Sequence, residues 1–229
     1  MTCYIQYSPY AGEKKDFLDR KKWTRTGTEP RWPAVLAVLA VGGLNATLPE
    51  PLSFGPYWLL LAVVSVLLIP TVLSYRTGRI VVNQVLGHLV LATVTSSMIW
   101  SLGMLIARLP GHSESPKTLL LSAAALWIAN VLVFASWYWR LDAGGPNQRD
   151  LRRDHNDGAF LFPQMLLPDA PDWRPGFVDY LFLAFNTSTA FSPTDVPVLS
   201  RWAKLMMMVQ ASISLMTVAL IAARAVNIL

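Results

Sequence analysis

Long uncharged apolar runs alternate with short polar breaks along this chain. Ile80 to Ala107, Thr118 to Trp139 and Leu205 to Ala223 each lack Asp, Glu, Lys and Arg, and about 20 such residues in helical form span the hydrocarbon core of a bilayer. Each predicts a transmembrane helix. Two further runs, PAVLAVLAVGGLNATL from Pro33 and PYWLLLAVVSVLLIPTVLS from Pro56, flank Pro49-Glu50-Pro51, which predicts a tight turn between two crossings. The first of these runs is only just long enough. A shorter aromatic run, GFVDYLFLAF, leads through hydroxyl-rich NTSTAFSPTD and then VPVLSRWAK into the last apolar run.

The pattern predicts an all-α integral membrane protein: four transmembrane helices, a polar linker, then a re-entrant or short helix and a final transmembrane helix. Its segments are a basic N-terminal stretch over 1–31, a four-helix bundle over 32–139, a linker over 140–175 and a pore-like hairpin over 176–229. Composition agrees, because 53% of the residues are hydrophobic and 14% charged, where a soluble domain carries about 25% charged residues. The first apolar run follows a long polar stretch and no small-residue cleavage site follows it, which speaks against a cleavable signal peptide. Cys3, the single cysteine, forms no internal disulfide and no thiolate cluster.

The net charge of +5 changes the picture only through its placement. Lys14, Lys15, Arg20, Lys21, Lys22, Arg25 and Arg31 precede the first crossing, which places the N-terminus in the cytoplasm by the positive-inside rule and beside anionic headgroups. Nucleic acid is not an expected partner. The loop NATLPEPLSFGP carries no Lys or Arg and SYRTGR carries two arginines, as an outer and an inner loop should. Trp137-Tyr138-Trp139 before Arg140 predicts an interfacial aromatic belt followed by a cation.

Catalytic chemistry finds little support. The linker has one histidine, His155, near Asp154 and Asp157; without helical spacing or further ligands a solvated loop is expected rather than a metal site. No inverted repeat, phosphate loop, His-Glu-x-x-His helix or serine elbow occurs. No enzyme activity, cofactor or metal is expected. Polar residues inside the apolar runs are candidate sites because each needs a partner at membrane depth. His88 has a titratable ring, yet His88, Asn130 and Gln210 are all expected to bond neighbouring helices.

The most specific order of features lies after Phe177. A half-helix, a hydroxyl-rich break and a full helix are what a re-entrant pore loop requires. Thr187, Thr189 and Asp195 with Pro197, ahead of Ser200-Arg201-Trp202-Ala203-Lys204, resemble the pore loop and inner helix of tetrameric cation channels. The whole chain also resembles an uncharacterised family of bacterial polytopic membrane proteins, which implies the bacterial inner membrane. The channel resemblance implies an ion path through Asn186, Thr187, Ser188, Thr189, Ser192, Thr194 and Asp195, with monovalent cations, the bilayer and further copies of the chain as partners. Ala190-Phe191-Ser192-Pro193-Thr194 departs from a potassium filter, having no glycine to turn successive carbonyls inward and a proline with fixed φ. A less selective cation path in an oligomer is the expectation, opening from the cytoplasmic side. The alternative is a non-conducting structural or interaction protein, in which the hydroxyls bond backbone carbonyls and Ser200 caps the last helix.

Overall fold

The computed structural model describes residues 29–108, 115–151, 158–167, 173–190 and 195–226. Seven α-helices occur among them: α1 (Trp32–Ala46), α2 (Leu59–Arg76), α3 (Ile80–Arg108), α4 (Pro116–Leu141), α5 (Pro146–Leu151), α6 (Phe177–Thr189) and α7 (Arg201–Val226). Extended pairing among the described residues is limited to one antiparallel bridge between Phe160 and Val198. Four helices, α2, α3, α4 and α7, are long and apolar enough to cross a membrane. The run from Pro33 falls short of the expected crossing: α1 has 15 residues, or about 22 Å at the helical rise. Pro49 follows it closely, and the chain turns there through Glu50–Leu52.

Helix α4 is central, packing against α1, α3, α6 and α7, while α2 lies against α1 and α3. Local sequence sets its ends. Ser115 Oγ accepts from Thr118 N at 3.1 Å to start α4. At the other end the helix stops at Leu141, where Asp142 turns extended; just beyond, at the Gly-Gly-Pro break, Gly145 has φ +88°, and a Cβ there would lie 2.6 Å from the Arg140 carbonyl, so the position favours glycine.

Helices α6 and α7 lie side by side and run in the same direction. Gln210 reaches Ala184 and Ser188, and Ser214 reaches Ser188 one turn further along α7. Asp179 Oδ2 accepts from Gly176 N at 2.6 Å at the start of α6. Ser200 Oγ accepts from Ala203 N at 3.3 Å at the start of α7, the predicted cap. Parallel neighbours require the connection to come back, and it does. Leu199 N donates to Ala159 O at 2.8 Å, and Trp202 packs edge-on against Phe160, which in turn meets Tyr180 near the start of α6. The linker is thus partly interior, with Phe160 and Phe162 buried under the end of the bundle.

Candidate functional site

Two clusters of polar side chains lie inside the bundle, both organised by α4. The first lies between α4, α7 and the C-terminal half of α6. Trp127, Asn130, Phe134 and Tyr138 recur at helical spacing on α4, and Gln210, Ser214 and Thr217 do so on α7. Gln210 is fully buried. Its Oε1 accepts from Tyr138 Oη at 2.6 Å, and its Nε2 donates to Ala184 O at 2.8 Å and Ser188 Oγ at 2.9 Å. Asn130 Nδ2 donates to the Gln210 carbonyl at 3.3 Å. Trp127 Nε1 donates to Ser214 Oγ at 2.9 Å, and that hydroxyl donates to Ser188 O at 2.6 Å. Every group here is neutral, and the bonds tie three helices along about three turns of α4.

The second cluster surrounds the C-terminal end of α4 and is charged. Arg149 Nη1 donates to the carbonyls of Trp139 at 2.8 Å and Asp142 at 2.9 Å, closing the orphan carbonyl end of α4 where positive charge is favoured. Its Nη2 pairs with Glu29 at 3.2 Å, both side chains being buried. Asp142 accepts from Tyr180 Oη at 2.6 Å and from Ala159 N at 2.5 Å, joining α4, α6 and the linker. Arg31 pairs with Asp150 at 2.5 Å and lies over the rings of Tyr75 and Trp139. Arg174 Nη1 donates to the carbonyls of Arg149 and Asp150.

Arg140 is held differently. It is 8% exposed and its Nη2 donates to the Asn83 carbonyl, while its Nε is buried without a partner. The guanidinium lies over α3 at Gly87, where a Cβ would overlap it. Asn83 continues the chain of contacts, donating to Thr71 O at 2.7 Å and accepting from Asn147 Nδ2 at 3.0 Å.

The sequence-predicted residues divide among these surroundings. Asn130 and Gln210 make the expected interhelical bonds. His88 is half-buried, its ring 6.0 Å from that of Trp137. Thr187 is buried, and its Oγ1 donates back to Leu183 O at 2.8 Å. Ser188 is enclosed against Gln210. Thr189 is exposed and bonds Phe185 O at 2.9 Å. Asn186 is half-buried and Asp195 exposed. Ser192 and Thr194, with Phe191 and Pro193, lie outside the described residues, as do Cys3, the lysine-rich stretch of the N-terminus and Asp154, His155 and Asp157.

One expectation is corrected. Trp137, Tyr138 and Trp139 form no outward belt: Tyr138 and Trp139 are buried, and the polar atoms of all three are bonded inside, to Thr95, Gln210 and Glu29. The linker contributes buried residues of its own, Asp142 and Arg149. The sequence signal for Arg140 and Asp142 was their place between an aromatic run and a Gly-Gly-Pro break, which draws them under the bundle's end. Glu29 gave no comparable signal, since its partner Arg149 lies 120 residues away. No family model matches the chain, and comparison with curated proteins and with solved structures returns no match.

Proposed function

We propose that this is a non-conducting integral membrane protein, structural or interacting in role, whose buried polar residues fix the packing of its helices. The observation that carries this reading is the consumption of the candidate filter hydroxyls within one copy. Thr187 bonds its own helix and Ser188 bonds Gln210 and Ser214, so neither has a free face to offer an ion. Intrahelical bonding of Thr and interhelical bonding of Ser and Gln are the ordinary ways such residues are satisfied at membrane depth. In this reading α6 is a half-helix that enters and returns on the side of its own start, with the N-terminal segment cytoplasmic by its positive charge.

A cation path is the second reading, and it rests on Asn186, Thr189 and Asp195, which are not enclosed. Such a path would lie between copies, with these residues around a shared axis. Reconstitution of the full chain in liposomes separates the two. Under potassium and sodium gradients, with and without an imposed voltage, the expected flux equals that of protein-free liposomes. A cation flux that changes its selectivity in Thr189→Val or Asp195→Asn, with unchanged folding, would overturn the non-conducting reading.

A further inference from the structure

Charge is unevenly distributed at the end of α4. Four arginines, Arg31, Arg140, Arg149 and Arg174, are linked there with three carboxylates, Glu29, Asp142 and Asp150. Arg31 and Arg149 form ion pairs, and Arg140 forms none among the described residues. A buried guanidinium with one carbonyl acceptor, the Trp139 ring at 6.0 Å and an unpartnered Nε is costly without a counter-charge, and an anion is the group that relieves the cost.

Arg140 lines a cavity of about 90 Å³ enclosed by the adjoining ends of α1, α2, α3 and α4, with Arg31 and Asn83 also on its wall. A water-sized group needs about 10–15 Å³, so a group of several heavy atoms fits. The rest of the wall is mostly aliphatic. Three of its residues, Val35, Leu68 and Val72, also line a groove of about 500 Å³ between α1 and α2. That groove continues along Leu39 and Ile69 on the outer surface, where Ile69 and Val72 are exposed. The route from the guanidinium to the outside is therefore mostly apolar, with Ser65 and Arg76 also on the groove wall, and opens sideways between two helices.

A cationic head pocket joined to a lateral apolar groove complements one kind of molecule. We propose that this site binds one anionic phospholipid from the leaflet at the N-terminal end of α1, its phosphodiester against Arg140 and Arg31 and one acyl chain between α1 and α2. Gly87 belongs to the same device, since only a residue without Cβ leaves the guanidinium its place over α3. The assignment holds whether or not the chain conducts ions, so a flux result does not decide it.

The test uses the full chain, delipidated in neutral detergent, with dioleoyl phosphatidylglycerol, dioleoyl phosphatidylcholine and inorganic phosphate as probes, and native mass spectrometry as readout. One tightly retained phosphatidylglycerol is expected, bound about thirtyfold more strongly than phosphatidylcholine, from the roughly 1 kcal/mol that each of the two arginines contributes toward an anionic lipid. Arg140→Gln should cut that preference to about fivefold, the share left to Arg31. Val72→Trp fills the groove at an exposed position and should weaken both. Equal retention of both lipids by the unaltered chain would overturn the proposal, as would displacement of phosphatidylglycerol by millimolar phosphate, which would make the ligand a soluble anion. Unchanged phosphatidylglycerol affinity in Val72→Trp would also overturn it. These three readings decide the matter even where Arg140→Gln fails to fold.

Discussion

The neutral polar cluster between α4, α6 and α7 and the charged cluster at the end of α4 solve the same problem with different materials. In the first the groups are neutral amides, hydroxyls and an indole, contributed by helices α4, α6 and α7, and most of their hydrogen-bonding capacity is used within the cluster. One buried exception is Asn130 Oδ1. At the end of α4 the groups are guanidinium and carboxylate, and much of the set comes from outside the long helices: Glu29 and Arg31 before α1, Asn147, Arg149 and Asp150 in α5, and Arg174 before α6. The difference follows from the cost of burial. A neutral amide at membrane depth is satisfied by two or three fixed partners, whereas a charge needs counter-charge and several bonds, and chain segments beyond the helix ends supply them. Among the described residues of this cluster Arg31, Arg140 and Arg149 each keep a buried nitrogen without a partner, but of these three only Arg140 has no carboxylate beside it, and it faces a cavity.

The strongest test of the comparison is Arg149→Met. It leaves Glu29 buried without its ion partner and the Trp139 and Asp142 carbonyls without their donor. Removing one member of a buried pair costs about 3–5 kcal/mol, so thermal unfolding of the purified protein should show the largest loss of any single change, with reduced expression. An unchanged midpoint would mean that the end cluster is not closed in the way described.

Gln210→Leu should have a smaller effect. It removes the acceptor of Tyr138 Oη and one donor to Ser188 Oγ and to the Ala184 carbonyl, but hydrogen bonds between helices in membranes contribute about 0.6 kcal/mol on average and at most about 1.7. A loss of about 1–2 kcal/mol, read in the same unfolding assay, is expected. A loss as large as that of Arg149→Met would erase the distinction between the neutral and the charged cluster.

Thr189→Val is expected to change least, within about 0.5 kcal/mol as for other exposed substitutions, since its hydroxyl only bonds back along α6. Ser188→Ala, one residue earlier, should cost more because its hydroxyl accepts from Gln210. Equal effects at the two positions, measured side by side in the unfolding assay, would show that the enclosure of Ser188 has no energetic weight.

Much of the architecture was legible because it is local. Charge-free runs of sufficient length gave α3, α4 and α7, the Gly-Gly-Pro break marked the turn just beyond the end of α4, and Ser200 gave the cap of α7. The length of α1 was less legible, because apolar composition runs past Ala46 to Leu48 while helical geometry stops at the proline turn. At the site, Asn130 and Gln210 announced themselves as amides in apolar helices. The outward aromatic belt was misread because Trp and Tyr have the same amphipathic character at a lipid interface as against an interior acceptor; only the neighbours tell these apart.

By itself the sequence determined the helices long enough for a membrane and the polar residues that need partners within them, since hydropathy, length and hydrogen-bonding capacity belong to each segment alone. Tertiary structure decided which partners they find. It turned Thr187 and Ser188 inward, set α6 parallel to α7, and brought Glu29 to Arg149 across most of the chain. It also left the Arg140 guanidinium over Gly87 with an open side toward the α1–α2 groove. These outcomes depend on how whole helices pack side by side, where contact between residues distant in the chain, rather than any local propensity, selects the arrangement.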